Sequence, residues 1–234
     1  MVCERMHVTA KIVEIGNALI SLLKDKYFYL GLLILIAGKH LNYYSQTYLH
    51  YYLQQGKTLP VLSDLILDKL PYWDIDYLYD IFMLVSAFVF IIYVIQKRMY
   101  HKIPYFLLLG GLFQLTRGVF IVLTPFGNPE LFDGTQGPFN GFAKYELGVF
   151  PSGHTGFAYM YFLLAESKYY RMILFLCIFV IISALFLSRG HYSIDVLSGI
   201  LFAYAIKAFG DKYLKNYFCS NPVGHSLDSC TLGQ

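Results

Sequence analysis

Two short segments of this sequence place histidines next to groups that bind or orient them. In PSGHTG (Pro151 to Gly156), Ser152 is a plausible N-cap for a helix, and Gly153 precedes His154. Glycines on both sides leave backbone amides accessible, and the free amides and dipole at a helix start attract anions such as phosphate. The alternative is a capped helix whose histidine only meets lipid headgroups.

The second segment is SRGHYSIDVLSG, from Ser188 to Gly199. His191 and Asp195 are four residues apart, which puts them on one face of a helix within hydrogen-bonding reach. A carboxylate on one ring nitrogen fixes the tautomer and makes the other nitrogen a competent base or nucleophile. Arg189 can hold phosphate oxygens bidentately. The plainer interpretation, an Arg189–Asp195 salt bridge, leaves His191 unexplained.

Arg117 is a further ionisable residue in an otherwise apolar stretch, and such residues are costly within a membrane. With His154, His191 and Asp195 it forms a set that we expect at one depth near the outer leaflet. A zinc site built on the two histidines and Asp195 is an alternative. The nearby arginines disfavour it because they would repel a cation, and we predict no metal and no cofactor.

The elements that must hold these residues are membrane helices. The 234 residues are 57% hydrophobic and only 14% charged, far below the roughly 25% charged residues of a soluble domain. We predict an all-α integral membrane bundle of six transmembrane helices, each of about 20 residues. The predicted spans are 27–47, 77–96, 103–124, 150–167, 170–188 and 190–209.

Charge fixes the predicted orientation. Most lysines and arginines flank one side of the six spans, while the loops on the other side are acidic, so the positive-inside rule puts both termini in the cytoplasm and the site toward the outer or lumenal leaflet. We predict that residues 1–26 form a cytoplasmic amphipathic segment, that 27–210 form the catalytic membrane domain and that 211–234 form a cytoplasmic tail. The net charge of +3 reflects these flanks and does not indicate nucleic acid; no disulfide is expected.

The motifs resemble the phosphatidic acid phosphatase type 2 superfamily, whose histidines form a covalent phosphohistidine. Within it the chain looks most like the sphingomyelin synthase branch. The similarity runs from about residue 57 to 205 and rests on four segments: 59–73, 117–129, 151–155 and 191–196.

Two departures separate the chain from typical members. It lacks the Lys-x6-Arg-Pro motif of the lipid phosphatases, and only Gly190 separates Ser188-Arg189 from His191, a spacing more like that of the synthases. PSGH with its proline is phosphatase-like. The synthases usually have Cys-Gly-Asp where this chain has Tyr145-Glu146-Leu147-Gly148.

The resemblance implies that His191 attacks phosphorus, Asp195 orients it and His154 protonates the leaving oxygen. It implies that Arg117, Arg189 and the amides at Ser152 and Gly153 bind the phosphate; Glu146 is a weaker candidate for headgroup binding or support of His154. The expected partners are a phospholipid donor and a lipid alcohol or water as acceptor, and a homo-oligomer is compatible with the sequence. Three functions stay open: headgroup transfer, hydrolysis of a lipid phosphate, and a non-enzymatic transporter or scaffold.

Overall fold

The protein is described by a computed structural model that covers residues 13, 15–129 and 147–219. Within these residues it is all-helical and contains no strand. After a helical segment at 15–23 (α1), the elements follow in this order: α2 Lys26–Gln54, a 3-10 turn Leu67–Lys69, α3 Tyr77–Gln96, a 3-10 turn Tyr100–Lys102, α4 Ile103–Leu123, α5 Gly153–Leu164, α6 Lys168–Leu187, α7 Ser193–Tyr213 and α8 Lys215–Phe218.

Four helices in the described part of the chain are long and apolar enough to cross a membrane. They are Tyr77–Gln96, Tyr100–Leu123, Lys168–Leu187 and Ser193–Tyr213. This confirms an apolar helical protein of membrane-spanning type, whereas six spans are not confirmed. Which way round these helices lie remains a prediction.

Two of the six predicted spans, 27–47 and 150–167, are not among these four helices, for different reasons. The first lies in α2, which is long enough at 29 residues. It is less apolar than those four helices, and Lys39 and His40 interrupt its apolar run. The fourth, predicted at 150–167, contains α5, which is only 12 residues long. At 1.5 Å per residue α5 rises about 18 Å, short of a hydrocarbon layer of about 30 Å.

Close approach of α2 and α4 depends on glycine. A Cβ on Gly38 would lie 2.8 Å from the Gly111 carbonyl oxygen, and one on Gly111 would lie 2.6 Å from the Leu35 nitrogen. Small residues let helix backbones touch in this way in membrane proteins. The Ser45 hydroxyl also donates to the Gly118 carbonyl across the same interface, at 2.7 Å. These contacts fix α4, the helix that carries Arg117.

A hydrophobic core surrounds α5, which packs against α6 and α7. Its central residues are almost fully buried and come from all three helices: Ala158, Ile181, Ala184, Leu185 and Val196. α7 comes very close to the start of α5, because a Cβ on Gly199 would lie 2.6 Å from the Ser152 carbonyl oxygen. The small side chains therefore bring the two histidine-bearing segments together.

Candidate active site

The start of α5 is joined directly to the start of α7. Ser152 is the N-cap of α5, as the sequence predicts, and its fully buried Oγ accepts hydrogen bonds from the amide and hydroxyl of Thr155. The Ser152 amide donates to the Asp195 carbonyl oxygen at 3.0 Å. One backbone hydrogen bond thus links the segment that carries His154 to the segment that carries His191.

His191 and Asp195 form the hydrogen-bonded pair that their spacing predicts. His191 Nδ1 lies 3.3 Å from Asp195 Oδ2, and the same oxygen accepts from the Tyr192 amide at 2.9 Å. Asp195 is completely buried and His191 is 6% exposed. His191 precedes α7, which begins at Ser193, so it lies in the connecting loop and not in the first helical turn. Pairing at Nδ1 leaves Nε2 as the nitrogen available to a substrate.

His154 has a carboxylate partner that the sequence analysis missed. Its Nε2 lies 3.0 Å from Oδ1 of Asp80, a residue in the first turn of α3. The Tyr79 ring packs edge-on against the imidazole, with the centroids 4.8 Å apart. His154 Nδ1 is buried and has no hydrogen-bond partner among the described residues. The signal for Asp80 was available, since it is an acid in an otherwise apolar span.

The two histidines face each other. Their ring centroids are 6.0 Å apart with the planes 66° from parallel. Each imidazole is held by its own carboxylate, Asp80 on one side and Asp195 on the other. A single substrate group can therefore contact both rings.

Backbone amides at the start of α5 can contribute to anion binding. The amides of Gly153 and His154 have no acceptor among the described residues, as expected for the first turn of a helix. The Ser152 amide, by contrast, is already bonded to Asp195. The predicted phosphate contacts of Ser152 and Gly153 stay predictions. In the structure, the amides without an acceptor among the described residues are those of Gly153 and His154, and the Ser152 amide holds α5 against α7.

Arg117 lies beside this turn, and much of its hydrogen-bonding capacity is already used. Its guanidinium donates to the carbonyl oxygens of Pro151 (3.0 Å) and Gly148 (3.0 Å), and to Asn42 Oδ1 (2.7 Å). A Cβ on Gly153 would be 3.3 Å from Arg117 Nε. Described residues thus accept from three of the five N–H groups of the guanidinium, and its predicted phosphate contact stays a prediction. Through these hydrogen bonds Arg117 holds the loop that leads into α5 in place.

The Arg189 side chain contacts the 59–73 segment. It has a positive φ of 58°, and its Nη2 donates to the Leu70 carbonyl oxygen at 3.0 Å. The side chain lines a cavity of about 520 Å3 together with Asp64, Asp68 and Tyr192. Nothing in these contacts tests the predicted phosphate contact of Arg189, which stays a prediction.

Asp64 anchors the same segment to α7. One carboxylate oxygen accepts from the Ser193 amide at 2.6 Å, and the other accepts from the amides of Ile66 and Leu67. Burial acts to raise the pKa of Asp64, but these hydrogen bonds outweigh it and hold the pKa below its usual value. Asp64 is therefore a charged cap at the start of α7, close to His191.

Two further expectations concern a metal and Glu146. No group of three or more histidine, cysteine or acidic side chains with metal-binding geometry occurs in the described residues. Glu146 lies outside them, so its role in headgroup binding or support of His154 stays a prediction.

The arrangement defines a class of site. Two facing histidines, each with a carboxylate partner, and an open helix N-terminus beside them suit transfer of a phosphoryl group through histidine. Residues 149–211, which include both histidines, match the family model described as PAP2 superfamily C-terminal. The match supports placement in the PAP2 superfamily and suggests an activity of the lipid phosphatase or phosphotransferase type. No curated protein and no solved structure gives a significant match to the chain.

Proposed function

We propose that the chain is a membrane lipid phosphotransferase of the sphingomyelin synthase type, which moves a phospho-headgroup from a phospholipid to a lipid alcohol through a phosphohistidine. The observation that carries this proposal is the pair of histidine rings 6.0 Å apart, each fixed by a carboxylate. The apolar helices that carry the site support the proposal that the substrate is itself dissolved in the membrane.

In the first step, the lone pair of His191 Nε2 forms a bond to phosphorus, and the bond from phosphorus to the diacylglycerol oxygen breaks. Asp195 keeps the proton on Nδ1, so that Nε2 is unprotonated and nucleophilic. His154 gives a proton to the departing oxygen, which is general acid catalysis. Because Asp80 is bonded to Nε2 of His154, we assign the transferred proton to Nδ1.

In the second step, an acceptor hydroxyl loses its proton to His154 and attacks phosphorus, and the bond to His191 breaks. The amides of Gly153 and His154, together with the remaining N–H groups of Arg117, stabilise the charge on the phosphate oxygens. The donor set needs no metal ion for this chemistry. A lipid alcohol as acceptor gives transfer, and water gives hydrolysis.

Product analysis tests the proposal. Purified protein is incubated in vesicles with phosphatidylcholine labelled in its headgroup, with and without ceramide, and His191→Ala serves as the control. We expect the label to appear in an acid-labile phosphoenzyme and then in the lipid alcohol. Release of the label only into water, whatever acceptor is offered, would favour the hydrolase, which is the second candidate because the phosphatase-like PSGH segment carries His154. The absence of both products and of any phosphoenzyme would reject the enzymatic proposal.

A further inference from the structure

An apolar cavity of about 550 Å3 lies among α1, α2, α3, α4 and α5. Its wall is formed by aromatic and aliphatic side chains and by the backbone of Gly110, a buried residue of α4 that has no side chain to fill the cavity. The rim includes Leu19 and Ile91, which are about half exposed, so the cavity opens toward the surroundings of the helices. Part of the wall is formed by Leu35, Gly110, Phe157, Tyr161 and Leu164.

The cavity begins one helical turn below the candidate site. Phe157, Tyr161 and Leu164 follow His154 by three, seven and ten positions on α5 and all line the cavity. At 1.5 Å per residue they lie about 4.5, 10 and 15 Å further along the helix axis. Residues three and seven positions apart share a helix face, so the cavity extends along the side of α5 that carries His154.

We propose that this cavity holds an acyl chain of the lipid whose phosphate sits between His154 and His191, and that Gly110 sets how much of the chain it accepts. The inference rests on the proposed function for the identity of the headgroup site. An acyl chain is the occupant that matches the surroundings: the lining is almost entirely apolar, and an apolar cavity is not filled by water. Its volume lies in the range of ligand-binding pockets.

Gly110 is the position at which the cavity can be reduced without disturbing the helix packing. A Cβ there would meet Phe157 at 3.5 Å and Leu35 at 3.7 Å, which are ordinary van der Waals distances. The neighbouring Gly111 differs, because a Cβ there would come within 2.6 Å of the Leu35 nitrogen. Gly110→Leu therefore adds a side chain to the cavity, whereas Gly111→Leu would force α2 and α4 apart.

The first experiment compares long-chain and short-chain phosphatidylcholine as donors for the wild type, Gly110→Leu and Val119→Phe. Val119 lies on the same helix but is exposed and does not line the cavity, so its variant controls for added bulk. A leucine side chain displaces several methylenes, each contributing about fourfold to binding, so kcat/KM for the long chain relative to the short chain should fall about tenfold or more in Gly110→Leu. An unchanged ratio in Gly110→Leu would overturn the proposal.

The second experiment does not depend on turnover. His191→Ala in vesicles is photolysed with phosphatidylcholine that carries a diazirine in the middle of one acyl chain, and the labelled peptides are identified. We expect labelling of α4 and α5 residues around the cavity, which Gly110→Leu removes and Val119→Phe keeps. This pattern in a protein whose wild type shows no turnover would retain the lipid site and reject the proposed function. Labelling spread evenly over the exposed helix faces, or unaffected by Gly110→Leu, would reject the cavity as an acyl-chain site.

Discussion

Asp80→Asn tests the part of the site that only the structure reveals. The substitution keeps the size of the side chain but removes the carboxylate that lies 3.0 Å from His154 Nε2. The neutral amide no longer stabilises the protonated imidazole or selects the tautomer with its proton on Nε2. If Asp80 positions His154, the variant loses general acid catalysis while the nucleophile His191 stays intact.

The size of the effect follows from the burial of the pair. The side chains of His154 and Asp80 are 30% and 15% exposed, so solvent only partly screens their interaction. A hydrogen bond that involves a charged group contributes about 1.5–3 kcal/mol. At about 1.4 kcal/mol per factor of ten, the rate of phosphohistidine formation from a phospholipid should fall about ten- to hundredfold.

The assay measures the rate of phosphohistidine formation in a single turnover with a phospholipid, whose leaving oxygen needs a proton, and with a nitrophenyl phosphodiester, whose leaving group does not. The second step, in which His154 acts as a base whichever donor is used, does not enter this rate. The loss should appear with the phospholipid and nearly vanish with the nitrophenyl ester. Asp74→Asn, the same change at an exposed position just before α3, is the control and should retain full activity. In a His154→Ala background, Asp80→Asn should add little. Full activity of Asp80→Asn on the phospholipid, or an equal loss on both substrates, would refute the positioning role.

Three further predictions concern the nucleophile, the absence of a metal requirement, and the orientation in the membrane. His191→Ala should abolish turnover and the acid-labile phosphoenzyme measured with labelled lipid, and turnover by this variant would contradict the mechanism. Asp195→Asn should lower kcat about 10²-fold or more, because it removes the carboxylate that keeps the proton on His191 Nδ1. Treatment with EDTA should leave most of the rate intact, whereas a loss that zinc restores would indicate a metal enzyme. In a cysteine-free background, Lys57→Cys should react with an impermeant thiol reagent in intact cells and Lys97→Cys should not. The reason is that the distribution of lysine and arginine puts the loop between α3 and α4, which contains Lys97, in the cytoplasm. The reverse labelling would reject the predicted orientation.

Local spacing accounts for what the sequence predicted well. His191 and Asp195 are only four residues apart, so the short turn that leads into α7 brings them into contact at 3.3 Å even though His191 lies just before the helix. The capping role of Ser152 also depends on its own turn alone. Such features follow from backbone geometry, and they do not require knowledge of how the helices pack.

The missed features depend on contacts between distant parts of the chain. Asp80 is 74 residues from His154, and only the packing of α3 against α5 brings them together. The phosphate contact of Arg117, which the resemblance implies, stays a prediction. The three contacts of Arg117 to Pro151, Gly148 and Asn42 could not be predicted, because they require the folded loop. Hydropathy alone also overestimated the length of α5, because residues 165–167 continue the apolar run only in part, and the helix ends at Leu164.

The unequal exposure of the two histidines bears on the choice between transfer and hydrolysis. The His191 side chain is 7% exposed, whereas that of His154 is 30% exposed. In the proposed mechanism the phosphorylated nitrogen is therefore shielded from bulk water. The His154 ring is more exposed, but its Nδ1, the nitrogen assigned to the acceptor, is buried. An acceptor held by its own apolar chains would gain an effective concentration that free water lacks, which supports the proposed transfer to a lipid alcohol over hydrolysis.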